Sequence, residues 1–390
     1  MEITITLRNW LLNRIKNRKL YKKHIIKKGI VLKYNEITEY QNQAPPIISN
    51  LNREYRIKSP TVGIVRNGLR FDDYVYKNAS WLFYERYLKN NNIKYEYYDI
   101  FKSNWIEEAK KYDIIMWHVN STPAELNIAQ SKIYILEHIL RKFCFPSFHE
   151  IWQYENKCRA SYLYKVYGIP SIPTFLTNSY EEAMAIINKL DFPVVAKVST
   201  GASSSGVEKI INSGESKKYV KEVFSEKGRK TIYPYMRHKN YVLFQEFIDD
   251  AKYDLRIMII GNKAFGYYRY PSKGDFRASG AGNYEKKEIP YEAIKIAVDV
   301  KKKLNSRLMG VDLLYSERQG KYFVIETSLF NQIDTAEQLK VDGIPGYYDI
   351  SNINDITFKP GRYWIHELVM DEVIRVWYDA STNEQIATNL

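Results

Sequence analysis

The sequence predicts a mixed α/β and α+β protein: a small open α/β layer, then a longer α+β region, all behind a basic helical extension. Three observations lead there. Strand-like and helix-like runs alternate between Thr61 and Phe143, the pattern of a layered open sheet. Strand-like runs then follow one another with no helix between them from Tyr241 to Tyr270, as consecutive antiparallel strands do. Ten Lys and Arg residues against Glu2 alone give residues 1–33 a net +9 of the chain's +13. The basicity therefore belongs to an appendage.

The totals narrow the functional classes. A chain of 390 residues is long for one core, so two or three packed units are expected. With 45% hydrophobic residues, 15% aromatics and 34 Tyr, the composition is globular and not that of a disordered chain. No run approaches the ~18–20 apolar residues of a spanning helix, and Met1–Thr6 opens no signal-peptide pattern. Cys144 and Cys158 give no disulfide framework. The expected compartment is the cytoplasm, with a peripheral position at the inner face of the membrane as an option.

Residues 7–28 contain no Gly or Pro and stop at Gly29, a helix with a C-cap. Its Trp, Leu and Lys content suits an anionic membrane surface or another polyanion, and equally a solvated helix packing on its own domain. Gln41–Pro60 is a Pro/Asn-rich connector. Thr61–Val65 is a strand before an Asn67-Gly68 turn, Ala79–Leu88 a helix, Lys94–Ile100 and Asp113–Val119 strands, and Leu126–Phe143 the helix that closes the unit. Lys157–Tyr167 and Tyr180–Leu190 read as helices, and Phe192–Val198 as a strand entering a Gly/Ser loop. Tyr241–Ile248, Arg256–Ile260 and Ala264–Tyr270 read as consecutive antiparallel strands with a turn at Gly261-Asn262. A helix at Ile289–Leu304 and strands at Leu308–Tyr315 and Tyr322–Thr327 complete the pattern. The expected units are residues 1–55, 56–150, 151–240 and 241–390.

Four stretches carry chemistry. In residues 194–207 a strand delivers Lys197 to a loop of Gly201, Ser203, Ser204, Ser205 and Gly206. Small residues let backbone N–H groups close on phosphate oxygens while the lysine adds a point charge; a plain Ser/Gly surface loop is the ordinary reading of this stretch alone. Residues 241–248 end in Gln245, Glu246, Phe247 and Ile248, able to offer backbone groups and a ring to a purine, or to be a core strand. Asp312 and Glu326 sit on neighbouring strand-like runs. Carboxylates so placed can share Mg2+, and Asp312 lies in an apolar run where an unpaired charge is costly. Arg256, Arg269 and Arg277 lie between these runs, with Asp254 and Arg256 on one strand face. Converging arginines suit a triphosphate or an acyl phosphate; singly each is an ordinary surface residue. His118, His149 and His366 have no metal-ligand spacing.

Taken in order, the stretches 155–174, 192–207, 243–248, 253–269, 274–282 and 309–328 resemble the ATP-grasp superfamily, in particular its bacterial ribosomal-protein glutamate ligase-type carboxylate–amine ligases. They span about 175 residues. The resemblance implies an ATP-grasp fold, two α+β subdomains gripping ATP, preceded by the small α/β domain. It implies that Lys157 and Lys197 hold the phosphates, that Gly201–Gly206 form the lid, and that Gln245–Ile248 form the adenine hinge. Asp312 and Glu326 would bind Mg2+, and Arg269 and Arg277 would face the transferred phosphate or the substrate carboxylate. The family continues with an Asn where this chain has Ser328, so Ser328, or Asn331 after a loop change, would complete the metal corner; a second family Asn is Ser279 here. The implied reaction is ATP- and Mg2+-dependent amide formation on a peptide, amino acid or cell-surface sugar acid. A kinase on the same fold, or a nucleotide- or polyanion-binding protein with weakened catalysis, are the alternatives.

Overall fold

Four parallel strands make the first sheet: β1 (Val62–Val65), β2 (Tyr95–Tyr97), β3 (Ile114–Trp117) and β4 (Phe143–Phe145), in the order β2-β1-β3-β4. The computed structural model describes residues 31–49, 51, 59–66, 74–76, 79–201, 206–330 and 340–388. The basic segment 7–28, the Asn67-Gly68 turn, Ser203–Ser205 and Asn331 lie outside them. Both inner strands, VGIV and IIMW, are buried along their whole length, as parallel strands covered on two faces require. Helix α1 (Ser80–Asn90) packs Leu82, Phe83, Tyr87 and Leu88 into this layer.

The expected helix over Leu126–Phe143 is corrected. Helix α2 starts earlier, at Pro123, because Thr122 accepts the Glu125 N–H and Pro123 fills the first turn. After Tyr134 it runs into one π-turn (Ile135–Ile139) and breaks at Arg141, which takes φ 55°. The remainder becomes the edge strand β4, with Phe143 opposite Ile114.

Helix α3 (Lys157–Val166), with Asn156 as its N-cap, leads to a four-stranded antiparallel sheet. Its strands are β5 (Thr174–Thr177), β6 (Val194–Lys197), β7 (Val207–Ile210) and β8 (Val242–Glu246), in the order β5-β8-β6-β7. Helices α4 (Tyr180–Ile186) and α5 (Ser213–Val223) cover it through Ala183, Tyr219 and Val220, which meet Val194, Ala196 and Phe244. The third sheet holds β9 (Asp254–Ile260), β10 (Lys263–Tyr270), β11 (Leu308–Ser316), β12 (Lys321–Ser328) and β13 (Ile344–Asp349), in the order β12-β11-β9-β10-β13. Helix α6 (Tyr291–Lys303) lies on it, burying Ala293, Ile294, Ala297 and Val300.

The run Tyr241–Ile248 is therefore not the first of three consecutive hairpin strands. Strand β8 pairs with β5 on one edge and β6 on the other, so it has no free edge for β9. Residues 247–253 cross between the sheets. Asp250 pins that crossing by accepting the Arg318 N–H at 2.6 Å and the Ser316 hydroxyl at 3.0 Å. Helix α7 (Ile365–Thr388), which sequence reading leaves unassigned, returns to α1. It buries Leu368, Met370, Val373 and Ile374, pairs Glu367 with Arg86 at 3.2 Å, and accepts the Tyr87 hydroxyl on Asp371 at 2.8 Å. The first and third sheets thus share one core.

Candidate active site

Register across the third sheet builds a ladder of charge. Arg256 on β9 lies opposite Asp312 on β11, which lies opposite Glu326 on β12; Asp254 on β9 lies opposite Arg269 on β10. Period-two alternation puts such partners on one face. On β12 that face is reached only through a bulge: Leu313 pairs with Val324 while Asp312 pairs with Glu326. Ile325 is the extra residue, and in a regular ladder it, not Glu326, would lie opposite Asp312.

Asp312 is the hub. It accepts Arg256 Nε and Nη2, both at 2.7 Å, and Arg269 Nη2 at 2.7 Å. Arg269 also donates to Asp254 at 2.8 Å. Burial opposes the charge on Asp312, yet the two guanidinium groups hold its carboxyl well below the usual range. Asp254, with weaker compensation, is pushed up to about 6 by burial. Arg269, Asp254, Asp312 and Arg277 all border a cavity of about 300 Å³ between the second and third sheets. Arg256 does not border it. It stands behind Asp312 and orients that carboxylate, so its expected place among groups facing the substrate is corrected.

The second sheet supplies the opposite wall. Lys157, in the first turn of α3, donates to the Gly201 carbonyl at 2.9 Å and pairs with Glu326 at 3.1 Å. Burial opposes its charge, but Glu326 and Glu155 more than compensate and its pKa rises. Lys197 ends β6, is 8% exposed, and has no hydrogen bond or ion pair among the described residues. Burial pushes its ammonium down to about 8. Gln245, Glu246, Phe247 and Ile248 line the cavity where the chain crosses between sheets. Gln245 is anchored by a bond to Thr174 Oγ1 at 3.1 Å, and Phe247 meets Phe276 edge-on at 5.6 Å. Gly206 accepts the Val198 N–H at the loop's far end and takes φ 74°; Ser203–Ser205 lie outside the described residues. Arg277 is held by Asp275 at 2.8 Å.

Ser328 does not border the cavity. Its hydroxyl donates to the Phe330 carbonyl at 3.1 Å. Among the described residues no three His, Cys, Asp or Glu side chains are grouped to hold a metal. Two carboxylates, Asp312 and Glu326, do border the cavity beside the buried Lys197 and the half-buried Lys157. This donor set fits a hard cation that takes its remaining oxygen ligands from nucleotide phosphates.

Sequence reading missed Glu155. It takes φ 53°, rare for a non-glycine residue, just before the Asn156 cap. Its Oε2 is buried with no hydrogen-bond partner. Burial, then Glu326, pushes it up to about 7. An acid before a capping Asn carries no sequence signature, so only the fold reveals it.

Comparison with known proteins agrees with this geometry. Residues 154–343 match the family model of the RimK-like ATP-grasp domain. The chain is 26% identical over 237 residues to the alpha-aminoadipate–LysW ligase LysX of Saccharolobus solfataricus, a match covering 59% of this chain and 77% of that protein. It is 24% identical over 212 residues to a probable alpha-L-glutamate ligase of Haemophilus influenzae, covering 53% of this chain and 65% of that protein. Among solved structures it resembles the D-alanine–D-alanine ligase from Bacillus anthracis complexed with ATP, with a TM-score of 0.52 and 16% identity over 83% of this chain and all (100%) of that one. This likeness is one of fold.

Proposed function

We propose that this chain, whose residues 154–343 match the family model of the RimK-like ATP-grasp domain, is an ATP- and Mg2+-dependent carboxylate–amine ligase. One observation carries the reading: Lys157 from α3, Lys197 from the second sheet, and Asp312 and Glu326 from the third sheet converge on a single cavity bordered by a strand-to-strand crossing. Lys157 and Lys197 would hold nucleotide phosphates, and Gln245–Ile248 the base. Asp312 and Glu326 would hold Mg2+, which supplies charge neutralisation at the phosphates when bound.

In the reaction, a substrate carboxylate oxygen takes the terminal phosphoryl group of ATP and ADP departs. The amine nitrogen then bonds the acyl carbon as the carbon–oxygen bond to phosphate breaks. This chain's residues contribute position and fixed charge. Arg269, fixed between Asp254 and Asp312, presents a guanidinium that needs no rearrangement as charge develops. Arg277, which borders the cavity and is held by Asp275, would meet the carboxylate. Withdrawal of the cavity from bulk water would protect the acyl phosphate from hydrolysis.

The test is direct. The full chain is incubated with MgATP, 18O-labelled carboxylic acids and free amino acids, and the products are read by mass spectrometry. An amide together with 18O-labelled phosphate is expected. A stable phosphorylated product with no amide would overturn the reading in favour of a kinase.

A further inference from the structure

Lys157 and Lys197 reach the cavity from different elements, the first turn of α3 and the end of β6. Two charges on separate elements serve one polyphosphate only if their spacing is fixed beforehand. The Lys197 ammonium has no hydrogen bond or ion pair among the described residues, so its place depends on the backbone that carries it. Sheet pairing holds that backbone only as far as Lys197, opposite Val207. The Val198 N–H then donates to the Gly206 carbonyl at 2.9 Å, and Ser199 follows with all three of its polar groups engaged. Its N–H donates to the Tyr241 hydroxyl at 2.7 Å, and its carbonyl accepts the Lys157 N–H at 2.8 Å. Its own hydroxyl donates to Asn156 Oδ1 at 2.8 Å. That same Oδ1 caps α3 by accepting the Arg159 N–H at 3.0 Å. One residue, two beyond Lys197 and two before Gly201, therefore ties the strand that carries one lysine to the helical turn that carries the other.

We propose, on the reading of Lys157 and Lys197 as phosphate ligands, that Ser199 is the positioning residue that sets their spacing, with Tyr241 as its fixed support. Tyr241 is well suited to that part. It stands half-buried just before β8, its ring 4.3 Å from the ring of His238 and its carbonyl 2.9 Å from His238 Nε2. His238 is buried, and burial lowers its imidazole to about 4, so the ring is neutral near pH 7. A neutral ring that donates from Nε2 to a carbonyl accepts at Nδ1, where the buried Tyr219 places its hydroxyl at 3.3 Å. Tyr241 thus rests on a satisfied polar network inside the second sheet's unit, and its hydroxyl is a fixed point for Ser199. Neither Ser199 nor Tyr241 borders the cavity, whereas Lys157, Lys197 and Gly201 all do. The pair acts through those three residues and not by touching the nucleotide.

The experiment measures binding of MgADP, by titration calorimetry, and of adenosine, by ligand-observed NMR, to the full-length wild type and its variants near neutral pH. Tyr241→Phe keeps the ring against His238 but leaves the Ser199 N–H without its acceptor. MgADP affinity should fall by roughly tenfold, while adenosine, which has no phosphate, should bind as it does to the wild type. Ser199→Ala keeps both backbone bonds and loses only the link to Asn156. It should weaken MgADP by roughly two- to fivefold, and it carries the test if Tyr241→Phe does not fold. In the double variant Tyr241→Phe/Lys197→Met, the loss should fall short of the product of the two single losses by about threefold or more, because one of the lysines being positioned is gone. Unchanged MgADP affinity in both single variants, equal weakening of adenosine and MgADP, or losses that simply multiply would each overturn the assignment. A wild type that binds adenosine as tightly as MgADP would instead sink the phosphate-site reading itself.

Discussion

Replacing Lys197 by Met tests the phosphate site in a way that activity alone cannot. In the free protein the ammonium titrates near 8, against an ordinary 10.5, because it is buried. Phosphate oxygens favour the charged form, so nucleotide binding raises the pKa again. Below about pH 8 the lysine is already charged and affinity should be insensitive to pH. Above that value each bound MgADP must bring a proton with it, and affinity falls about tenfold per pH unit until the bound-state pKa is reached, or roughly twentyfold between about pH 7.5 and 9.5. Few neighbours confound this window: Glu155 titrates near 7, and Lys157 is raised above its ordinary value. The assay is isothermal titration of MgADP into the full chain, in buffers of differing ionisation enthalpy, so that proton uptake is read from the heat. Lys197→Met should bind more weakly and lose both the slope and the buffer dependence. A wild-type affinity that is flat across the window, or a Met variant that keeps the slope, would refute the assignment.

Other expectations follow from the packing. Asp312→Asn leaves the half-buried Arg256 and the buried Arg269 guanidinium without this carboxylate, and should cost roughly 3–5 kcal/mol in denaturant unfolding. Adding Arg256→Met should recover part of that loss, with a coupling of about 1–3 kcal/mol; strict additivity would show that the pair is not the hub described. Gly206→Ala forces a side chain onto a φ of 74° and to within 2.8 Å of Val198. It should raise the KM for ATP while the melting temperature moves little. Ile374→Ala, fully buried in α7, should destabilise the chain by about 2–5 kcal/mol without altering nucleotide affinity, as titration calorimetry can verify.

What the sequence disclosed was the chemistry that travels in short runs. Lys197 before a Gly/Ser loop and Asp312 in an apolar run announce themselves, because a buried charge or a string of small residues is anomalous where it stands. The positions of β9, β10, β11 and β12 were readable from their apolar runs to within two residues at each end. Pairing was less so, because it depends on residues distant in the chain. Nothing local tells β8 to join β5 and β6 in place of β9, and the order of the runs suggested the opposite. Arg256 shows the same limit: alternation gives its face, but only the register with Asp312 shows that it stands behind a carboxylate instead of beside the cavity. The bulge at Ile325, which turns Glu326 inward, breaks the very alternation by which strand faces are read. Glu155 depends on a left-handed backbone that side-chain identity did not foretell.

Lys197 and Glu155, which have no hydrogen bond or ion pair among the described residues, also bear on what the fold gives up for its chemistry. A lysine whose folded-state pKa lies near 8 instead of 10.5 is penalised in its charged form by roughly 3 kcal/mol. For a base lowered on folding, that penalty is fully present below about pH 8 and vanishes as the pH rises through 10.5. Glu155 is displaced in the opposite direction, so its cost is absent below its ordinary 4.5, grows as the pH rises from there, and is fully present above its folded-state value near 7. At neutral pH and above, both residues work against folding, whereas Arg256, Arg269 and Lys157 have partners. Packing alone would not retain such residues, since a methionine and a glutamine of similar shape would be better tolerated. The ligand-free Lys197→Met protein should therefore melt at a higher temperature than the wild type near neutral pH, and the difference should shrink as the pH is raised toward 10. Saturating MgADP should reverse the order by stabilising only the wild type strongly. A variant that melts lower than the wild type without ligand would mean that Lys197 has a partner in the folded chain and is not held ready for phosphate.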